Sequence, residues 1–261
     1  DGSNGAGYKL APTVFEELGA EVIALGNNPN GININKGCGA LHPQLCAETV
    51  KKYRADLGVC LDGDGDRLTI VDGHGEVIHG DKLIGLCGKF LKDNQELGPT
   101  NEVVGTVMSN FGVEHYLQNL GLNFIRTSVG DRYIVEHMRQ TGALFGGEPS
   151  GHLVFKRYST TGDGILAALK LIESIKFYDR DISELANEIE LFPQTMENIL
   201  VQKRIPFEEV PEIQKALEGA QAKLGNEGRV LLRYSGTEAL ARVMVEGRDN
   251  EMVTSICSDI A

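Results

Sequence analysis

Short apolar stretches alternate with amphipathic stretches along most of the chain, and this alternation limits the fold more than any other feature. The runs Leu57–Leu61, Leu68–Asp72 and Leu122–Thr127 have the length and composition of strands. Apolar residues recur at helical spacing between such runs, as in Gln44–Arg54. Consecutive parallel strands need crossovers, which usually contain helices. The alternation therefore predicts an α/β protein with two βα-alternating domains, each built on a mixed or parallel sheet.

The pattern changes after Pro193 and predicts a smaller α+β domain at the end of the chain. Strands are expected there at 195–202, 229–234 and 241–247, and helices at 207–224 and 250–260. The predicted domains are residues 1–77, 78–191 and 192–261. At the other end, Ala20–Leu25 is predicted to be a strand, and the glycine-rich turn Asp1–Gly7 is of a kind that normally follows a strand. We therefore expect the chain to begin inside a domain.

Composition excludes several classes of partner. The 261 residues are 41% hydrophobic and 24% charged, and the net charge of −12 repels nucleic acids and anionic membranes. An anionic ligand must therefore be held by local basic groups. The five cysteines show no C-x-x-C spacing, and no apolar run reaches the length of a membrane span. We expect a cytoplasmic protein that binds neither nucleic acid nor membrane.

An acidic loop, Asp62-Gly63-Asp64-Gly65-Asp66-Arg67, directly follows a predicted strand. Carboxylates alternating with glycines can bend around one hard divalent cation, and oxygen ligands favour Mg²⁺, Mn²⁺ or Ca²⁺ over zinc. An EF-hand is excluded, because its sixth and twelfth positions hold Arg67 and Gly73 here instead of Gly and Glu. An exposed acidic turn is the alternative to a metal site.

Two further loops carry chemically useful groups. Gly146–His152 combines a carboxylate, a hydroxyl and an imidazole, which suits hydrogen bonding to a polyol and proton transfer, although a plain turn explains it equally well. Arg233–Glu238, followed by Arg242, combines hydroxyls, a glycine and guanidinium groups, as a phosphate cradle requires. A plain hairpin turn is the alternative there. Arg132 is expected either to face a ligand from a helix start or to follow an Asp131 that merely caps the helix.

The order and spacing of the three loops are more specific than any loop alone. The series D-G-D-G-D-R, G-E-x-S-G-H and R-x-S-G-T-E resembles the α-D-phosphohexomutase superfamily over nearly the whole chain. The stretches 29–35, 129–133 and 230–233 are most similar to the bacterial branch that interconverts glucosamine 6-phosphate and glucosamine 1-phosphate, on the route to UDP-N-acetylglucosamine. The chain departs from the family at Ala239, where a Pro is usual, and at Pro149, where other residues are usual.

The resemblance implies a set of roles for this chain. Asp62, Asp64 and Asp66 would bind Mg²⁺, with Arg67 beside the transferring phosphoryl group, and His152 would be a candidate for proton transfer. The resemblance further implies a phosphosugar as the small-molecule partner and glucosamine 1,6-bisphosphate as activator and intermediate, and it is compatible with a homodimer. The implied substrate-binding residues are Glu148, Ser150, Arg132, Arg233, Ser235, Gly236, Thr237 and Arg242.

One element of the family is not found in these residues. Family members carry a phosphorylated serine in a T-x-S-H-N-P-type loop of a first domain, and no such loop occurs in the sequence. We therefore expect the intact protein to be a mutase and this segment alone to be inactive. A phosphomannomutase/phosphoglucomutase, a phosphosugar-binding protein without activity and, less favoured, a Ca²⁺-binding module are the alternatives.

Overall fold

A computed structural model describes residues 1–235 and 238–261. It divides into two compact units, Asp1–Ser109 with Val113–Glu190 and Asn110–Gly112 with Leu191–Ala261. The helices are α1 (Leu10–Glu17), α2 (Gln44–Tyr53), α3 (Gly80–Asp93), α4 (Phe111–Asn119), α5 (Asp131–Thr141), α6 (Gly164–Tyr178), α7 (Ile182–Asn187), α8 (Pro211–Leu224) and α9 (Asn250–Ile260). The strands are β1 (Leu57–Leu61), β2 (Leu68–Asp72), β3 (Val77–Ile78), β4 (Glu102–Thr106), β5 (Asn123–Thr127), β6 (Phe145–Gly147), β7 (Leu153–Phe155), β8 (Gln194–Leu200), β9 (Gly228–Tyr234) and β10 (Leu240–Gly247).

The first sheet of the larger unit is an antiparallel meander in the order β1-β2-β3. Only the loop 62–67 joins β1 to β2, and a loop this short can connect antiparallel strands but not parallel ones. The strands described here therefore lack the parallel pairing that the alternation suggested for this region. The same hairpin fixes the position of the acidic loop at one end of the sheet.

The second sheet of that unit is mixed, in the order β5-β4-β6-β7. Strand β4 pairs in parallel with β5 and β6, and helices α4 and α5 lie in the two crossovers. Strand β7 returns antiparallel to β6, with Phe145 opposite Phe155 and their ring centroids 4.9 Å apart. The predicted α/β class with a mixed sheet is confirmed. The loop between β6 and β7, called the β6–β7 loop below, carries Glu148 and Ser150, for which the sequence predicts sugar binding.

The prediction of a strand at Ala20–Leu25 is wrong for the residues described. The segment has no strand assignment and is largely exposed. Gly2 N donates to Leu25 O at 2.8 Å and Asn4 N donates to Gly26 O at 2.6 Å, but these two bonds do not form a regular strand ladder within the described part of the chain. An apolar run becomes a strand only when a neighbour supplies paired backbone groups, and sequence periodicity alone does not reveal that neighbour.

The smaller unit is α+β, as predicted. Its antiparallel sheet has the order β8-β10-β9, and α8 and α9 supply the apolar side chains that pack on one face. The single helix predicted at 207–224 is wrong at its start, because Phe207–Glu209 forms a 3₁₀ turn and α8 begins at Pro211. A proline holds the preceding residue in extended backbone, as Val210 shows with φ −113° and ψ 97°.

Candidate functional site

The acidic loop is a tight turn that its own backbone holds in place. Gly65 N donates to Asp62 O at 3.2 Å, and Arg67 N donates to Asp62 Oδ1 at 3.0 Å. Gly65 has φ +78°, a region that other residues adopt at a cost. The loop is also joined to α6, whose first residue Gly164 donates from N to Gly65 O at 2.8 Å. These bonds direct the three aspartates of the loop toward a common point.

The three aspartates meet the geometric requirement for one cation. Asp62, Asp64 and Asp66 each offer a carboxylate oxygen, and these oxygens lie within 4.8 Å of one another. Asp62 is buried, Asp66 is partly buried and Asp64 is exposed. The Oδ1 atom of Asp66 is buried without a hydrogen-bond partner in the described residues. An unsatisfied buried carboxylate oxygen beside two other carboxylates fits a hard divalent cation such as Mg²⁺.

A neighbouring segment supports the loop from outside. A Cβ on Gly63 would lie 2.6 Å from Asn35 Nδ2 and 2.7 Å from Ile34 Cδ1, so a larger residue here would have to displace these side chains. Gly63 O also accepts a hydrogen bond from Ala6 N at 2.8 Å. Residues 34 and 35 belong to a stretch that the sequence marked only by family resemblance. Their packing against the acidic loop gives that stretch a physical role.

Arg67 is placed where it can meet an anion. Its side chain is 45% exposed, and its Nε atom lies 3.9 Å from Asp62 Oδ2. This separation is too long for a hydrogen bond, so the guanidinium keeps donors available beside the carboxylate cluster. The arrangement is compatible with the predicted position of Arg67 next to a phosphoryl group.

His152 links the acidic loop to the β6–β7 loop. The side chain is 4% exposed, and its Nδ1 atom lies 3.1 Å from Asp66 Oδ2. Gly162 N donates to the Nε2 atom at 3.2 Å. Asp131 Oδ2 lies 4.0 Å from Nε2. The sequence motifs placed His152 beside Glu148 and gave no sign that it pairs with Asp66, 86 positions away.

The β6–β7 loop is a tight turn closed by Glu148 N donating to His152 O at 2.9 Å. Glu148 Oε1 accepts a hydrogen bond of 3.0 Å from Gly130 N, which ties the loop to the start of α5. Ser150 and Arg132 are both exposed, so they are accessible to a ligand. Helix α5 has Gly130 at its N-cap position, so the alternative in which Asp131 is the cap is wrong. Asp131 instead accepts from Arg132 N at 2.7 Å.

The predicted phosphate cradle lies in the smaller unit, between β9 and β10. Arg233 and Arg242 are directly opposite each other in the ladder. Burial, together with the positive charge of Arg242, lowers the pKa of Arg233. Arg242 donates to Glu238 Oε2 at 2.9 Å, while its Nε atom is buried without a partner in the described residues. Two facing guanidinium groups favour an anion between them.

The loop at the end of β9 has an additional support that the motif search missed. Ser235 is buried, and Arg204 donates from Nη2 to Ser235 O at 2.6 Å and to Glu238 O at 3.0 Å. The predicted phosphate ligands Gly236 and Thr237 lie outside the described residues. Arg204 thus holds both described ends of the loop through backbone oxygens. No pattern in the sequence connects it to a loop 31 positions away.

A cavity of about 490 Å³ lies elsewhere in the larger unit. Its lining residues are Asp72, His74, Glu76, Val77, Ile78, His79, Lys82, Ser183 and Asn187. None of the predicted site residues lines it, so it does not define the candidate site. Within the described residues, no helix has both the length and the apolar character needed to cross a membrane.

The chain matches three successive domains of one protein family. Residues 1–75 match phosphoglucomutase/phosphomannomutase alpha/beta/alpha domain II, residues 79–192 match alpha/beta/alpha domain III, and residues 196–261 match the C-terminal domain. The acidic loop falls in the first of these matches, the β6–β7 loop in the second and the loop between β9 and β10 in the third. The chain therefore belongs to the phosphoglucomutase/phosphomannomutase family, of which it carries domains II, III and IV.

Curated relatives narrow the comparison within this family. The chain is 51% identical over 261 residues to phosphoglucosamine mutase from Desulfovibrio desulfuricans, covering 100% of this chain and 58% of the relative. It is 46% identical over 260 residues to phosphoglucosamine mutase from Chlamydia muridarum, covering 100% of this chain and 56% of the relative. The chain thus spans somewhat more than half the length of the curated relatives that it matches.

Solved structures have the same fold. A phosphoglucomutase/phosphomannomutase family protein from Burkholderia thailandensis has a TM-score of 0.78 at 23% identity, covering 99% of this chain and 58% of that one. N-acetylphosphoglucosamine mutase from Aspergillus fumigatus, in complex with GlcNAc-6P and magnesium, has a TM-score of 0.74 at 21% identity, covering 100% of this chain and 64% of that one. At these identities the likeness shows the fold alone.

Proposed function

We propose that this chain is the metal-, sugar- and phosphate-binding part of a phosphoglucosamine mutase, which interconverts glucosamine 6-phosphate and glucosamine 1-phosphate. The observation that carries the proposal is the cluster of Asp62, Asp64 and Asp66 oxygens within 4.8 Å of one another, in a chain 51% identical to a phosphoglucosamine mutase. The proposed reaction lies on the route to UDP-N-acetylglucosamine, and the proposed location of the protein is the cytoplasm.

The aspartate cluster is the proposed Mg²⁺ site. The buried, unpartnered Oδ1 of Asp66 supports this assignment, because a cation would satisfy it. Mg²⁺ bound there would neutralise negative charge on a phosphoryl group. Arg67, exposed at the edge of the cluster, would donate to the same group. Charge neutralisation and positioning are the main contributions that a protein makes to phosphoryl transfer.

The other two loops are proposed to hold the sugar and its second phosphate. Glu148 would accept hydrogen bonds from sugar hydroxyls, and Ser150 would donate or accept them. Arg132 would donate hydrogen bonds to the ligand from the start of α5. The phosphate that does not react would bind the cradle formed by Arg233, Arg242 and the loop 235–237. The facing guanidinium groups support this part of the proposal.

We further propose that these 261 residues alone do not complete the transfer. The proposed reaction needs a phosphoserine that gives its phosphoryl group to the sugar and recovers one from the resulting glucosamine 1,6-bisphosphate. The sequence holds no T-x-S-H-N-P-type loop to supply that serine. A longer protein that includes such a loop would be active with Mg²⁺ and a catalytic amount of the bisphosphate.

A coupled assay tests the proposal. Glucosamine 6-phosphate, glucose 6-phosphate and mannose 6-phosphate are each supplied to this chain and to a longer protein that includes a T-x-S-H-N-P-type loop before it, with Mg²⁺ and the matching 1,6-bisphosphate. We expect selective turnover of the glucosamine compound by the longer protein only. Preference for glucose or mannose 6-phosphate would assign a phosphomannomutase/phosphoglucomutase, and no turnover by either chain would favour a phosphosugar-binding protein.

A further inference from the structure

The two ring nitrogens of His152 are both engaged within the protein. Gly162 N donates to Nε2, so Nε2 must present a lone pair and carries no hydrogen. The neutral ring then carries its hydrogen on Nδ1, which faces Asp66 Oδ2 at 3.1 Å. The hydrogen bond therefore runs from His152 to the carboxylate. The backbone of Gly162 selects the tautomer that donates to Asp66.

The surroundings of the ring leave it little freedom. The side chain is 4% exposed. A Cβ on Gly162 would lie 2.5 Å from the Cε1 atom of the ring, so the glycine is what allows the backbone to approach. The next loop residue, Asp163, caps α6 by accepting from Ile165 N and Leu166 N, each at 3.0 Å. The capped start of α6 thus fixes the backbone of Gly162, and Gly162 in turn holds the imidazole of His152.

Asp66 has one oxygen held by His152 and one oxygen without a partner. Oδ2 accepts from the ring, whereas Oδ1 is buried and unbonded within the described residues. A carboxylate held through one oxygen can rotate only about that contact, so the direction of the other oxygen is restricted. Ligating carboxylates in metal sites are commonly oriented by such outer hydrogen bonds, whose loss costs about 10–100-fold in metal affinity or activity.

We infer that His152 is a positioning residue, which donates from Nδ1 to Asp66 and aims the free oxygen of that carboxylate into the metal site. The inference rests on the proposed metal site. The chain occupies both ring nitrogens, Nδ1 with Asp66 and Nε2 with Gly162, and positioning of Asp66 is the role that this geometry supports.

The tautomer is tested by ¹⁵N NMR of the imidazole rings in the 261-residue chain. We expect the His152 signals to show a protonated Nδ1 and a bare Nε2. The signals are assigned by their loss in the His152→Asn variant. A His152 ring protonated on Nε2 and bare on Nδ1 would overturn the inference, because that tautomer cannot donate to Asp66.

Metal binding tests the positioning role without measuring catalysis. We expect His152→Ala to weaken Mn²⁺ binding to the 261-residue chain by about 10–100-fold. His152→Asn should stay within a few-fold of the wild type, because the Asn amide nitrogen can occupy the place of Nδ1. His152→Gln should bind as weakly as His152→Ala, because its amide reaches toward the place of Nε2 instead.

A second histidine–carboxylate pair supplies the matched control. His137 Nε2 lies 3.3 Å from Glu102 Oε2 in the same unit, so His137→Ala removes a similar contact away from the acidic loop and should leave Mn²⁺ affinity unchanged. Thermal unfolding verifies that each variant is folded. Equal Mn²⁺ affinity of wild type and His152→Ala would refute the positioning role alone. Absence of Mn²⁺ binding by the wild type would refute the proposed metal site, and the inference with it.

Discussion

Gly151 in the β6–β7 loop touches Leu68 at the end of the acidic loop so closely that no side chain fits between them. Leu68 N donates to Gly151 O at 3.1 Å, and a Cβ on Gly151 would lie 1.9 Å from Leu68 O. This backbone contact holds the two loops together in the larger unit. It also places His152 beside Asp66, because His152 is the next residue along the chain.

A Gly151→Ala substitution tests this contact. Gly151 has φ +86°, so alanine adds backbone strain as well as a clash with Leu68 O, and the free energy of unfolding should fall by about 3 kcal/mol or more. Gly142→Ala is the matched control, because Gly142 has the same φ of +86° with no atom within 4 Å of the added Cβ. Gly142→Ala should lower the free energy of unfolding by about 1–2 kcal/mol. If urea denaturation gives the same loss of stability for Gly151→Ala and Gly142→Ala, the contact between Gly151 and Leu68 does not contribute to stability.

Glu188 gives the larger unit a defined acid sensitivity. Burial raises the pKa of Glu188, but hydrogen bonds from Lys89, Arg180 and Tyr116 outweigh it and hold the pKa below its ordinary value of 4.5. A carboxyl group with a lowered pKa stabilises the folded state fully above the unfolded-state value, and this stabilisation is lost as the pH falls through the lower folded-state pKa.

Urea denaturation between about pH 5 and about pH 3 measures this contribution. We expect the free energy of unfolding to fall less steeply with acidification in Glu188→Gln than in the wild type, because the variant has no carboxyl group to protonate there. Glu184→Gln removes a carboxylate that also pairs with Arg180 but is 59% exposed, and it should leave the slope nearly unchanged. Identical slopes for all three proteins would contradict the lowered pKa.

A buried ion pair fixes the smaller unit. Arg229 Nε lies 2.5 Å from Glu246 Oε2, and the Glu246 side chain is fully buried. We expect Arg229→Met to lower the free energy of unfolding by about 3–5 kcal/mol, because it removes a cation that pairs with a buried carboxylate. Lys223→Met breaks the exposed pair with Asp259 and should change stability by less than about 0.5 kcal/mol. If Arg229→Met and Lys223→Met lower the free energy of unfolding by similar amounts in urea denaturation, the buried pair is not a stabilising contact.

The facing arginines predict a stabilising effect of anions on the smaller unit. Inorganic phosphate should raise the unfolding temperature of the wild type in proportion to the logarithm of its concentration, because it binds the folded state between Arg233 and Arg242. Arg242→Met should abolish most of this rise. Arg139→Met, at an exposed position of α5, removes the same charge and should retain the rise. Loss of the effect in both variants would indicate nonspecific charge screening.

The sequence was informative wherever local pattern determines local structure. The strands Leu57–Leu61 and Leu68–Asp72 have the predicted bounds, and α9 spans the predicted Asn250–Ile260. An apolar run reports burial of a strand, and periodic apolar residues report burial of one helix face. Four of the five residues of β2 are buried, and α9 buries Val253, Ile256 and Cys257. The mistake at Phe207 had a visible cause, because Pro211 restricts the residue before it. The mistake at Ala20–Leu25 had no visible cause in the sequence, because a strand forms only where another segment, distant in the chain, pairs with it.

The candidate site was accessible from sequence only as separate loops. The acidic motif carries its chemistry within six consecutive residues, so its spacing alone suggested a cation. The bond from His152 to Asp66 and the support of Ser235 by Arg204 join positions 86 and 31 residues apart. Such contacts follow from how strands and helices pack, and one sequence has no periodicity that records them. The structure was therefore needed to connect the loops.

A calorimetric titration with Mg²⁺ tests the central claim most directly. The 261-residue chain should bind Mg²⁺ at a single site, and Asp64→Asn should weaken that binding at least about tenfold, because it removes one of three convergent carboxylates. Asp259→Asn, at an exposed residue of α9, lowers the negative charge equally and should bind Mg²⁺ like the wild type. Equal Mg²⁺ affinity in all three proteins, or no binding by any, would contradict the assignment of the acidic loop as a metal site.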